Sequence, residues 1–237
     1  MSVLKSERQL KKKRVVSEVN KRVFLPHLSV VLTGVESPQR KAVEDYIATQ
    51  FFKNHAARVN SFLPFLLSAE TKKNITSVIG FQLAEASKSL FVEQYLDNKA
   101  ESVISCLLND EVSRCAIAEI GNLTSNYPGV SQMMFILLIS ILHQLNIDWA
   151  LFTATRQVQS MIKRLNIECL NICKARKESL LASSGSWGSY YKNEPTVIAG
   201  NIKEVYAILD SHPVAGFMMA NYQSTIEQLV LQISQNR

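Results

Sequence analysis

The sequence has little that would serve a metal site, a disulfide framework or a membrane span. Its four cysteines (Cys106, Cys115, Cys169 and Cys173) form no Cys-x-x-Cys pair, and none has a histidine at zinc spacing. No metal is therefore expected, and the thiols read as small buried apolar residues of a reducing compartment. The most hydrophobic window, Met133 to Leu142, is interrupted by Ser140 and is shorter than the ~20 residues a spanning helix needs. The N-terminus lacks the apolar segment of a secretory signal, which makes the cytoplasm the expected compartment. There is no nucleotide-binding glycine pattern, no Ser-His-Asp order and no internal repeat. What remains, at 47% hydrophobic and 19% charged over 237 residues, is an ordinary folded globular chain.

Charge is present but uneven. The net +6 resides in residues 1–22, where Lys5, Arg8, Lys11, Lys12, Lys13, Arg14, Lys21 and Arg22 face only Glu7 and Glu18. This basic N-terminal arm is either a solvated terminus or a contact for an anionic membrane surface, which would put the protein at the periphery of the inner membrane. It has no aromatic residue to stack on bases, so nucleic acid is not an expected partner.

Strands and helices alternate through the rest, which argues for an α/β domain. Leu28 to Thr33 is a strand, and Ser37-Pro38 reads as the N-cap and first position of a helix running to about Ala57. Phe62 to Leu67 is extended; Lys72-Lys73-Asn74 turns into a strand at Ile75–Leu83, making an antiparallel hairpin. Leu90 to Leu108 has a helical pattern, divided around Asn98-Lys99. The central stretch is a strand, Ala116 to Leu123, then a turn at Pro128-Gly129 and an all-round apolar helix, Val130 to Leu145. A strand at Trp149–Thr153, buried on both faces, precedes an amphipathic helix from Arg156 to Leu165. Ile167–Cys173 and Thr196–Gly200 are strands, Ile202–Leu209 and Ala220–Gln235 helices. The long loop Ala182–Pro195 carries three aromatic residues, which favours a functional role.

Polar residues and a glycine inside the central strand mark it as special. Glu119 and Asn122 must be satisfied or working, because an unpaired buried polar group costs roughly 1–3 kcal/mol. Gly121 indicates a bulge or a close approach by another backbone. The turn and helix that follow offer N–H groups to an anion.

The blocks Leu90-Phe-Val-Glu-Gln-Tyr-Leu-Asp97, Glu119-Ile-Gly-Asn-Leu123, Trp149 with Phe152-Thr-Ala-Thr155, and Trp187-Gly-Ser-Tyr-Tyr191 with Pro195 and Ala199-Gly200 resemble the bacterial thermostable hemolysin family, in order from about Phe51 to Leu209. That family is in turn similar to the GNAT superfamily, particularly the acyl-homoserine-lactone synthases. Ala118–Leu123 sits where those synthases have a Glu-Leu-Ser-Arg-Phe-type strand, and Val78–Gln82 where they have Gly-x-x-Arg. Asn122 and Gln82 stand in place of their arginines, which argues against lactone synthesis but not against an acyl slot. The resemblance implies a GNAT-like α/β fold, a mixed central sheet flanked by helices, over residues 23–212, with a C-terminal helical extension at 213–237. It implies an autoinducer-synthase-like acyltransferase that transfers groups other than aminoacyl groups. Nothing would be tightly bound; acyl-CoA or the phosphopantetheine of an acyl carrier protein would be the co-substrate, and a small amine or amino acid the acceptor. The strands at 117–123 and 149–153 would run parallel and part near Glu119.

On that reading Glu119 is the general base or amine anchor, and Tyr190 or Tyr191 protonates the departing thiolate; alternatively Glu119 pairs with a neighbouring strand's cation and the tyrosines fasten the loop. Arg58, Glu93, Asp97, Gly121, Asn122, Leu123 and Trp187 would bind the acceptor. Arg58 has a second reading as a helix cap, Glu93 and Asp97 as an exposed pair one turn apart, and Asn122 as a bond to the bulge's own backbone. Tyr127, Gly129, Val130, Ser131, Gln132, Thr153 and Thr155 would hold the acyl donor. His143 reads as a packed core histidine. Two rival functions stay open: a membrane-active hemolysin, lytic directly or through an amphiphilic product, and an interaction module that has lost catalysis.

Overall fold

A computed structural model describes residues 28–72, 74–127, 129–181 and 186–235. The expectations for the arm at 1–22, for Pro128 and for residues 182–185 of the aromatic loop lie outside them. One seven-stranded sheet organises the chain in the order β1-β2-β3-β4-β5-β7-β6. β1 (Ser29–Thr33), β2 (Phe65–Glu70), β3 (Ile75–Leu83) and β4 (Ile117–Ser125) pair antiparallel in succession. β5 (Trp149–Ala154) pairs parallel with β4 and antiparallel with β7 (Thr196–Asn201), which pairs in turn with β6 (Leu170–Lys174). The helices are α1 (Arg40–His55), α2 (Ala100–Leu108), α3 (Val130–Gln144), α4 (Arg156–Arg164), α5 (Ile202–Ser211), α6 (Pro213–Asn221) and α7 (Gln223–Gln235). The expected mixed sheet flanked by helices is present.

Alternation along the strands assigns the two faces. Leu67, Ile79, Phe81, Ala118, Ile120, Ala150 and Phe152 pack against α3, whose side chains from Met133 to Leu142 are all buried. Each such apolar side chain contributes about 1.5–3 kcal/mol on burial. α3 is enclosed because α5, α6 and α7 cover its far side, and Tyr222 ties them back to β1 through its hydroxyl and the backbone of Leu28. On the opposite face Leu66 and Val78 meet Val43 and Ile47 of α1. Ile117, Leu151 and Val197 meet Ala100 and Ile104 of α2. Glu119, two residues beyond Ile117, points to that second face.

Four local expectations need correction. α1 begins at Arg40, not at Pro38: the Ser37 carbonyl and hydroxyl accept from Arg40 N (2.9 Å) and Gln39 N (3.4 Å), so residues 37–39 form a turn before the helix. Only 100–108 of the 90–108 pattern is α-helix, with a 3-10 turn at Phe91–Tyr95. There, glutamate side chains rather than helical carbonyls accept the N–H groups of Leu90, Phe91, Val92 and Ala100. The last helix is two, α6 and α7, broken at Tyr222; α6 starts on Pro213 with His212 Nδ1 as its cap. Finally, the cysteines are free thiols but not core residues, since Cys106 and Cys115 are exposed and Cys169 and Cys173 half-buried.

Candidate active site

β4 and β5 are bonded from Ile117/Trp149 to Ile120/Phe152 and no further. Beyond that point β4 continues beside β3, while Thr153 and Ala154 of β5 stay with β7. The separation begins at a bulge. Gly80 opposes Gly121 but Val78 opposes Thr124, so Asn122 and Leu123 together face Ile79, and Asn122 takes φ 50°. An extra residue bends and twists its strand, turning β4 away from its parallel neighbour. Asn122 Oδ1 accepts from Leu63 N (2.9 Å), and the Leu63 carbonyl is held by Arg40 Nη2 (2.8 Å). Gly121 allows Leu63 this close: a Cβ there would stand 2.9 Å from Leu63 Cδ1.

The gap is the inner part of a cleft of about 910 Å3, a size that accommodates an extended small-molecule substrate. Because β4 and β5 are parallel and each leads into a helix, the N-termini of α3 and α4 both border its open end. The first-turn N–H groups of a helix have no intrahelical acceptor and attract anions. Gly129, at φ 80°, leaves the start of α3 open, since a Cβ there would have no neighbour within 4 Å beyond the adjoining residues. Thr155 caps α4.

Glu119 sits at the closed end, 2% exposed. Its Oε2 accepts from Gln82 Nε2 (2.6 Å) and Phe91 N (2.8 Å), its Oε1 from Val92 N (2.8 Å). No lysine or arginine among the described residues pairs with it, so the expected alternative of a strand-to-strand ion pair does not hold. Burial pushes its pKa up to about 7, against those three hydrogen bonds and with a small addition from the Glu93 charge. The roof over this end is aromatic: Phe51, Phe91, Trp187 and Tyr190 lie with ring centroids 5.3–6.3 Å apart where they touch. The loop carrying Trp187 is pinned to α1 by Ser189 N and Oγ on the His55 carbonyl, and by a bridge between Arg58 and Ser186. Burial raises the pKa of the Tyr190 phenol and lowers that of His55, so both are neutral near pH 7.

Of the residues singled out from the sequence, Glu119, Gly121, Asn122, Leu123, Tyr127, Gly129, Ser131, Gln132, Thr153, Thr155, Trp187 and Tyr190 all line the cleft. Five do not. Val130 is turned into the core. Arg58 is exposed and engages through its backbone. Asp97 is exposed, whereas Glu93 is 7% exposed and faces Arg114 instead of the cleft. Tyr191 stands behind the wall, its hydroxyl 2.6 Å from that of Tyr95; burial pushes its pKa up to about 12 against that bond. Asn122 spends its side-chain oxygen on Leu63 N, 59 residues away in the chain, and not on the bulge's own backbone as the second reading expected. His143 stacks on Tyr206 at 3.9 Å, away from the cleft. Sequence reasoning missed Phe91, Tyr95, His55 and Arg164 in the lining and Gln82 on Glu119. Phe91 and Tyr95 belong to the block Leu90–Asp97, and Gln82 to the strand that departs from Gly-x-x-Arg, but nothing in their spacing shows that these residues converge.

Solved structures share this architecture at very low sequence identity. An N-acyl amino acid synthase from uncultured soil microbes, FeeM, is 9% identical and superposes with a TM-score of 0.53 over 75% of this chain and 93% of its own. The CoA-dependent acyl-homoserine lactone synthase BjaI, determined with SAM and isopentyl-CoA, is 8% identical with a TM-score of 0.52 over 78% and 89%. These establish a GNAT-like fold. None of the curated proteins matches in sequence. The family model of the thermostable hemolysins matches residues 33–206, from the end of β1 into α5, and the chain belongs to the thermostable hemolysin family.

Proposed function

We propose that this protein is an N-acyltransferase that moves an acyl group from an acyl thioester, of coenzyme A or a carrier protein, to a small amine or amino acid. The observation that carries the proposal is the parting of β4 from β5 beside a buried carboxylate, with two helix N-termini at the other end of the same cleft. The thioester's pantetheine arm fills the gap along the unpaired edge of β4, and its phosphates lie at the starts of α3 and α4. The acceptor enters under the aromatic roof. Its ammonium must lose a proton, and a carboxylate that burial raises to about 7 is a stronger base for it than an ordinary one. The amine nitrogen then attacks the thioester carbon, forming the C–N bond. Backbone N–H groups of β4 beyond Ile120, freed from β5, face the developing oxyanion. As the C–S bond breaks, the neutral Tyr190 phenol donates its proton to the thiolate and takes back, through water, the second proton that the nitrogen sheds on becoming an amide, while Glu119 returns its own proton to solvent.

The test is purified protein with acyl-CoA donors of several chain lengths and a panel of amines, read by mass spectrometry of the N-acyl product. Colorimetric thiol assays need prior blocking of Cys106 and Cys115, which are exposed. Folded protein that forms no product with any donor refutes the proposal. A lytic effect, the alternative the family's description raises, follows from the same reaction: a long-chain N-acyl product is an amphiphile. No helix among the described residues is long and apolar enough to cross a membrane. Lysis that survives Glu119→Gln after product formation has stopped would assign it to another part of the chain.

A further inference from the structure

The two backbone N–H groups on Glu119 come from a short 3-10 turn whose own hydrogen bonds do not use them. Phe91 and Val92 begin the 3-10 turn at Phe91–Tyr95, between a loop and the start of α2. Glu93 closes that turn from within: its Oε2 accepts from Leu90 N (2.8 Å) and its Oε1 from Ala100 N (3.0 Å). A guanidinium locks Glu93 in turn, with Lys99 Nζ, 3.4 Å from Oε2 and half exposed, as a weaker second cation. Arg114, in the turn just before β4, donates through Nη1 to Glu93 Oε1 (2.7 Å) and Glu101 Oε2 (2.7 Å). Through Nε and Nη2 it donates to the carbonyls of Ala84 (3.0 Å) and Ser87 (3.1 Å). It thus ties the loop before the turn, the turn and α2 to the strand that carries Glu119, while lying outside the cleft lining.

We infer that Arg114 is a positioning residue for Glu119: by locking Glu93 it holds the Phe91 and Val92 N–H groups on the carboxylate and sets the pH at which that carboxylate gains its proton. Hydrogen bonds to the ionised form favour it, so losing them drives protonation at higher pH. The charges near Glu119 act in the same direction. Gln82, from β3, is neutral; Glu93 and Tyr95, from the turn, are the titratable groups beside it, and Tyr95 stays neutral because burial holds its phenol far above its usual range. Without Arg114 the Glu93 charge loses its strongest partner and repels a charge on Glu119 more effectively. Arg114 matters here beyond its bond count because its planar fork serves four acceptors at once, which lysine cannot do.

This inference rests on Glu119 being the base, and its test is independent of turnover. The full chain is labelled with 13C-carboxyl glutamate, and the Glu119 resonance, assigned by its loss in Glu119→Gln, is titrated without substrate. Arg114→Gln is expected to raise the midpoint by about one pH unit, a tenfold gain in proton affinity. Arg114→Lys, which keeps the charge but not the fork, should give a smaller rise and serves if the glutamine variant does not fold. Unchanged midpoints in folded variants overturn the positioning role. A shifted midpoint in a protein that forms no N-acyl product supports the role of Arg114 and removes only the transfer reading.

Discussion

Replacing Glu119 by glutamine should change the pH dependence of stability as well as slow transfer. The side chain is 2% exposed, and burial raises its pKa from 4.5 to about 7. Between those values the unfolded chain has released its proton and the folded chain has kept it. A group raised on folding contributes its stabilisation fully below the unfolded value and loses it as pH climbs through the folded one. Two and a half units at 1.36 kcal/mol each is roughly 3 kcal/mol. Glutamine cannot titrate, so the difference in unfolding free energy between wild type and Glu119→Gln should fall by roughly 3 kcal/mol from pH 4.5 to pH 7.5. Superimposed on this is a constant offset. An amide can place one oxygen where Oε2 accepts from Gln82 and Phe91, but its NH2 then faces Val92 N–H, at a cost of about 1–3 kcal/mol. Urea titrations of both proteins at several pH values separate slope from offset. Parallel curves would mean that Glu119 is ionised across the whole range, and the case for a strengthened base would fail. In the transfer assay the same substitution should lower the rate 10²–10⁴-fold and remove an acidic limb centred near pH 7.

Tyr190→Phe should slow product formation at least tenfold with an unactivated thiol leaving group, and much less with an acidic aromatic thiol. Tyr191→Phe should not show that leaving-group dependence, since its hydroxyl bonds Tyr95 behind the wall. Gly188→Ala should lower the melting temperature, because a Cβ there would collide with the His55 carbonyl oxygen and the residue holds φ 49°. Asn122→Ala removes the acceptor for Leu63 N and a residue tolerant of φ 50°, so thermal denaturation should show a loss of about 1–3 kcal/mol. Thiol titration of the native protein should find Cys106 and Cys115 reacting before Cys169, which burial makes less acidic, with a pKa of about 11.

Residue order alone was enough for much of the scaffold. Local signals placed β3 at Ile75–Leu83 and the span of α3 almost to the residue. They also marked Glu119, Gly121 and Asn122 as misfits in an apolar strand, because period and polarity are written in neighbouring residues. The parallel pairing near Glu119 was legible from the family-like blocks. What the sequence could not decide is which partners those misfits meet. Glu93 and Asp97 read as a pair near the acceptor, yet the fold turns Glu93 to Arg114, 21 residues away, and leaves Asp97 in solvent. Phe91 to Tyr95 carries a helical pattern, but a carboxylate 27 residues downstream accepts its N–H groups and makes it a short turn. Tyr190 reaches the cleft and Tyr191 does not, a distinction set by how the loop docks on α1. Sequence thus determined which side chains are costly to bury, and tertiary structure decided what satisfies them, since hydrogen-bond partners are assigned by distance in space rather than along the chain.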